Sequence, residues 1–249
     1  MEERITSRKN PLVQQTRKLL TSRKARRELG LFVSDGTKLL EEAVRHCQGL
    51  ETVFLSDGVE AQVPENCRVI RVSREVMEAI SPMETPQGAV FLCRLPQEVP
   101  FQPEKGMLLL DGIQDPGNLG TILRTADAWN VKVALLEGCA DPFSHKVVRA
   151  SMGAVFRRDV AVTTWAQARA ALQQAGIPVA VTALNDQARD IRSASVGTMA
   201  VVIGSEGQGV RQEVLQAADE ALIIPMNPHC ESLNAAVAAT AVMWQMGKI

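Results

Sequence analysis

From residue 107 to residue 224 the chain alternates short, almost wholly apolar segments with helix-length amphipathic ones, and no other feature limits its possible folds more. The apolar segments are 107–110, 131–136, 160–162, 178–182, 199–203 and 221–224. A strand with one face in water alternates polar and apolar residues, whereas a strand without a polar face is covered on both sides. Segments 119–129, 145–153, 165–175 and 210–217 read as helices, and a last helix, 233–246, follows the final strand. Strands alternating with helices predict a parallel sheet with helices on both faces. Ligands of such sheets bind in loops at the carboxyl ends of the strands.

The first hundred residues predict a smaller α/β domain: helix 12–20 after Asn10-Pro11, strand 31–34, helix 37–47, and strands 52–55, 68–72 and 90–93. Pro96, Pro100 and Pro103 then punctuate RLPQEVPFQPEKG, which has little periodicity and reads as a linker. The expected division is a domain over 1–95, a linker over 96–105 and a second domain over 106–249.

A chain of 249 residues, 46% hydrophobic, can bury a substantial core. Its first residues, MEERITSRKN, contain no apolar signal segment, and the longest apolar run, 235–244, is too short to span a bilayer, so a cytoplasmic protein without a membrane partner is expected. Five cysteines form no C-x-x-C pair, and three histidines have no zinc-ligand spacing, so no metal is expected. Net charge is -1, yet residues 1–30 hold nine Lys and Arg against three Glu, while residues 31–100 hold six against eleven acidic residues. A local basic patch of this kind can contact phosphate in a chain that is not basic as a whole. Its candidate members are Arg17, Lys18, Arg23, Lys24, Arg26 and Arg27.

Three loops concentrate the chemistry. LLLDGIQDPGNLGTILRTADAWN (108–130) places glycines around Asp115-Pro116, offers Asn118 as a helix cap and carries Arg124 two turns further on. VVIGSEGQGV (201–210) packs Gly204, Gly207 and Gly209 around Ser205 and Glu206; it lacks the lysine of a phosphate-binding P-loop and the glycine order of a dinucleotide fingerprint. IIPMNPHCESLNAAVAATAVMWQM (223–246) offers Ser232 or Asn234 as the cap of a smooth, small-residue helix suited to close packing or to a dimer interface. Each loop alone admits an ordinary structural explanation.

In this order and spacing, the loops closely resemble the three signature motifs of the SpoU (TrmH) family of RNA 2′-O-ribose methyltransferases. The first motif is matched by Asp115, Pro116, Gly117, Asn118, Gly120, Arg124, Thr125 and Ala126. Gly204, Glu206, Gly207 and Gly209 match the second, and Ile224, Pro225, Met226, Ser232, Leu233 and Asn234 the third. KVVRASMGAVF (146–156) resembles the family's middle segment, while ITSRKNPLVQ and LFVSDGTKLLEEA resemble the L30e-like RNA-binding domain often fused to it. Pro228 stands where glycine is common in the third motif, and Asp35 where glutamate is usual in the N-terminal domain.

The resemblance implies a C-terminal SPOUT domain, a parallel α/β fold whose chain threads a trefoil knot, preceded by the L30e-like domain. It implies S-adenosylmethionine as cofactor, held by Gly204, Ile224, Met226 and Leu233, and a ribose 2′-hydroxyl of structured RNA, ribosomal rather than transfer RNA, as methyl acceptor. It assigns catalysis to Arg124, with Asn118, Glu206, Ser232 and Asn234 around it, Glu206 orienting Asn118 or Arg124. It also implies a homodimer. Two other readings of the residues are a catalytically silent RNA-binding protein of the same fold and a dinucleotide-dependent oxidoreductase; the intact polar set counts against the first, and the missing fingerprint glycines against the second.

Overall fold

The computed structural model describes residues 3–184, 187–227 and 229–247; Pro228 lies outside the described residues. In chain order the elements begin with β1 (Glu3–Ile5), α1 (Pro11–Thr21), α2 (Arg23–Leu29), β2 (Leu31–Asp35), α3 (Thr37–His46), β3 (Leu50–Ser56), β4 (Arg68–Val72), α4 (Arg74–Ile80) and β5 (Ala89–Arg94). There follow β6 (Met107–Asp111), α5 (Pro116–Ala128), β7 (Val133–Leu135), α6 (His145–Ala150), α7 (Ala154–Arg157), β8 (Ala161–Val162), α8 (Trp165–Gln174) and β9 (Val179–Thr182). The chain continues through β10 (Arg189–Asp190), β11 (Ala200–Gly204), α9 (Gln212–Ala217), β12 (Glu220–Ile223) and α10 (Ala235–Met246). They fall into two compact units, Met1–Gln97 with Asp141–Arg157, and Glu98–Ala140 with Arg158–Ile249.

The first unit is built on a five-stranded sheet of order β1-β4-β3-β5-β2, in which β5 runs antiparallel to both its neighbours. Asn10 starts α1 by accepting the Leu12 amide at 2.9 Å, with Pro11 where no donor is required. Every residue of β2 is buried. One reason is that residues 141–157 pack on this unit: Phe32 of β2 meets the rings of Phe143 and Phe156 at centroid distances of 5.2 and 6.2 Å. The expected helix 145–153 breaks into α6 and α7 because Met152 and Gly153 both take positive φ.

The second unit carries a seven-stranded sheet of order β10-β12-β9-β11-β6-β7-β8, parallel at every pairing. Both faces are buried, as the apolar segments predict. Met107 and Leu109 of β6, Val179 and Val181 of β9, and Ala200 and Val202 of β11 join Trp165, Ala168 and Leu172 of α8 in one core. Their strand neighbours Leu108, Leu110, Ala180 and Val201 are equally inaccessible. α10 packs on β11 and α5, with the Trp129 and Trp244 rings 5.7 Å apart.

Two helix starts differ from the sequence reading. Asp115, not Asn118, caps α5, its carboxylate accepting the Asn118 amide at 2.8 Å, so the helix begins at Pro116. Asn118 therefore sits within the first turn with its side chain available. α10 begins at Ala235 because Asn234 takes the cap, accepting the Ala236 and Val237 amides at 2.9 and 3.3 Å.

Candidate active site

The motif loops of the second unit converge through three side chains. β6 ends at Asp111, Gly112 turns the chain at φ +69°, and α5 presents Asn118 from its first turn. The Asn118 amide nitrogen donates to Glu206 Oε1 at 2.7 Å, and Asn118 Oδ1 accepts from Asn234 Nδ2 at 2.9 Å. The order Asn234 to Asn118 to Glu206 is chemically required: the reverse orientation of the Asn118 amide would set its oxygen against a carboxylate. Of the two roles expected for Glu206, the structure places it on Asn118.

Arg124 lies further along α5, exposed, with no hydrogen bond or ion pair to any described residue. It is not joined to the amide chain, and its guanidinium is available to a ligand. Ser232 is exposed on the loop before α10.

Beside the amide chain opens a cleft of about 620 Å³. Its walls are the carboxyl ends of β9, β11 and β12 and the turn that opens α10, and Gly204, Ile224, Met226, Leu233, Glu206 and Ser232 all line it. The volume lies in the range of small-molecule sites. The donor set suits S-adenosylmethionine: Ile203, Leu222 and Ile224 offer apolar walls, the 204–210 loop offers main-chain groups, and Glu206 and Glu231 offer carboxylates to a cationic sulfur. Gly204 itself has a second explanation beside cofactor access. A Cβ at this position would fall on the peptide joining Gly209 to Val210, so the strand end and the returning loop can cross only if residue 204 is glycine. Sequence reasoning missed Thr182 at the end of β9, Leu184 in the loop after it and Leu215 of α9 in the lining, because periodicity marks the elements but not which of their residues face a cleft.

In the first unit, Arg17, Lys18, Arg23, Lys24 and Arg27 are exposed, but Arg26 is not. Its side chain is 6% exposed, donates through Nε and Nη2 to Asp141 Oδ2 at 2.8 and 2.7 Å, and donates through Nη1 to the Leu19 carbonyl at 2.6 Å. This corrects its place in the phosphate-facing patch: Arg26 ties α2 to the 141–157 segment. Among the described residues there is no cluster of His, Cys, Asp and Glu able to hold a metal ion, and no helix long and apolar enough to cross a membrane.

A parallel α/β unit with a small-molecule cleft at its strand ends and an amide–carboxylate chain beside it defines a cofactor-binding type of site. The SpoU rRNA methylase family model matches residues 105–244, and the MRM3-like substrate binding domain model matches residues 10–90. The chain is 32% identical over 249 residues to the 23S rRNA (guanosine(2553)-2′-O)-methyltransferase RlmP of Bacillus subtilis, covering 98% of this chain and 99% of that one. Among solved structures it matches the AdoMet-bound rRNA methyltransferase of Sinorhizobium meliloti with a TM-score of 0.85 and 28% identity, over 98% of this chain and 97% of the other. The fold is shared by the AdoMet complex of AviRb from Streptomyces viridochromogenes, with a TM-score of 0.83 and 24% identity over 96% of this chain and 97% of that one. The chain belongs to the SpoU rRNA methylase family.

Proposed function

We infer that the protein transfers a methyl group from S-adenosylmethionine to a ribose 2′-hydroxyl of structured RNA. The observation that carries this reading is the Asn234–Asn118–Glu206 chain on the rim of the cleft, which joins the three motif loops into one polar surface. Bound there, the cofactor supplies an already activated methyl group. What remains for the protein is to orient a weak nucleophile and help its proton leave.

Arg124 holds the RNA phosphate or ribose and stabilises the negative charge that develops on the oxygen. A guanidinium stays protonated across the working range of pH, which disfavours its use as a free base and favours this electrostatic role. Asn118, Ser232 and Asn234 hydrogen-bond the ribose side of the site, with Glu206 fixing the Asn118 amide. The cofactor rests on Gly204, Ile224, Met226 and Leu233. In the division of labour proposed here, residues 1–95 carry the RNA-binding domain, with Arg17, Lys18, Arg23, Lys24 and Arg27 on phosphates, and 106–249 the transferase.

Ribosomal RNA in the cytoplasm is the proposed substrate, supported by the family model and by the activity of the Bacillus relative. Two copies are proposed to pair through α10, supported by Val237 and Trp244 standing 53% and 65% exposed on that helix. Arg124→Ala tests the assignment: transfer should fall by about 10²–10³-fold, the loss typical of removing one charge stabiliser, while calorimetry shows adenosylmethionine affinity intact. Loss of cofactor affinity instead would move Arg124 from the RNA to the cofactor.

A further inference from the structure

We propose that Arg211 is a positioning residue of the cofactor cleft: anchored on the buried carboxylate of Asp111, it fastens the root of the glycine-rich 204–210 loop that lines the cleft and carries Glu206. The proposal rests on the reading of the cleft as the S-adenosylmethionine site.

Asp111 closes an otherwise apolar strand, and its side chain is fully inaccessible. A carboxylate removed from water is strongly destabilising unless it is paired and hydrogen-bonded. Both its oxygens are committed to one residue: Oδ2 accepts the Arg211 backbone amide at 2.8 Å, and Oδ1 accepts Arg211 Nε at 2.6 Å. The same guanidinium donates through Nη2 to Glu137 at 2.8 Å and meets Glu213 through Nη1 at 3.0 Å. Burial raises the Glu137 carboxyl, but hydrogen bonds from its own backbone, Arg211 and the Trp165 amide outweigh it and hold the group below its ordinary range. Arg211 is thus spent on carboxylates, in contrast to Arg124.

The loop itself is held mainly by internal bonds, the Ser205 and Gly209 amides and carbonyls exchanging two bonds of 3.0 Å. Two of its side-chain ties, Glu206 to Asn118 at the tip and Arg211 to Asp111 at the root, end on the β6–α5 segment. Gly207, with nothing near the position of a Cβ, and Gly209 at φ +67° give the loop backbone little resistance to rotation. With the root untied, the loop loses its fixed distance from α5, and the cleft loses one wall.

The test uses the full chain, calorimetric titration with S-adenosylmethionine, and transfer kinetics at saturating RNA. Arg211→Ala should raise both the Kd and the KM for the cofactor by about tenfold or more, as expected when charge-assisted bonds that preorganise a site are removed, with RNA affinity unchanged in filter binding. Arg211→Lys should recover part of the loss, since one ammonium reaches Asp111 but cannot also serve Glu137 and Glu213. A folded Arg211→Ala protein with wild-type cofactor Kd overturns the proposal. If that variant does not fold, Asp111→Asn decides, because it keeps the shape and removes the charge: an unchanged Kd overturns the proposal, and a raised one supports it. Wild-type protein without affinity for the cofactor overturns the reading of the cleft and this proposal together, and is told apart because wild type and variants then behave alike.

Discussion

Asn234 donates its side-chain amide to Asn118 Oδ1 at 2.9 Å, joining two loops 116 positions apart. The oxygen of the same Asn234 amide group caps α10, so the geometry of the bond is inherited from the start of a packed helix rather than from a free side chain. This is the kind of support that holds a reacting constellation in place. Asn118 is constrained from the other side by Glu206, and so has one orientation in which both partners are satisfied.

Asn118→Asp tests that constraint with almost no change in volume. The new carboxylate would face Glu206 where an N–H now donates, and like charges at that separation repel. Transfer should drop by about 10²-fold, the cofactor Kd changing far less, and lowering the pH should recover part of the activity as one of the two carboxyls takes up a proton. Single-turnover rates from pH 5 to pH 8 measure this.

Gly204→Ala adds a single methyl group where the Gly209–Val210 peptide lies. Overpacking of this kind destabilises by about 1–3 kcal/mol, and here the displaced backbone belongs to the cleft. Thermal melting should show the loss of stability, and titration should show cofactor affinity falling with it. A variant that melts like the wild type and binds normally would mean that the loop can close elsewhere.

Arg26→Ala and a variant neutralising Arg23, Lys24 and Arg27 should behave oppositely. Breaking the buried Arg26–Asp141 pair should cost about 3 kcal/mol of stability with little change in the salt dependence of RNA binding. The triple variant should keep its stability and bind RNA with a shallower dependence of log K on log salt, by somewhat under one unit for each phosphate that is no longer neutralised. Denaturant titration and filter binding over a salt series separate the two.

The contrast between these arginines shows what the sequence could and could not convey. The parallel sheet was legible because strands such as Met107–Asp111 and Ala200–Gly204 carry almost no polar face, and the three motif loops fall at their ends. Arg26 was misread because RKARREL shows only a run of charge; whether one arginine turns inward depends on Asp141, which is distant in sequence. The docking of 141–157 on the first unit was invisible for the same reason. The two-residue strand β10 and the short helices α2 and α4 fall below the length at which periodicity can be counted. Asp111 did leave a signal, a lone carboxylate ending a buried apolar strand, and it points to a partner without naming Arg211.

His145 gives the first unit a defined response to acid. Burial lowers its pKa from 6.5; the Leu20 carbonyl and Asp35 oppose this, while Lys146 and Arg26 add to it. A histidine depressed in the folded state binds a proton more readily when unfolded, so its contribution to stability is complete above 6.5 and is lost as the pH falls through the folded value. Asp35, raised by burial, works in the other direction, losing stability as the pH climbs from 3.8. Comparison of wild type with His145→Gln isolates the histidine: unfolding free energy measured at pH 7.5 and pH 5.5 should drop more in the wild type. Equal drops would remove His145 from the account.

The most direct test of methyl transfer to ribose uses unmodified ribosomal RNA, labelled S-adenosylmethionine and alkaline hydrolysis. Strand cleavage by alkali needs a free 2′-hydroxyl to attack the neighbouring phosphate, so a methylated ribose leaves an uncut dinucleotide. The label should appear in an alkali-resistant dinucleotide and be absent with Arg124→Ala. Label released in mononucleotides, with the methyl on the base, would contradict the central claim.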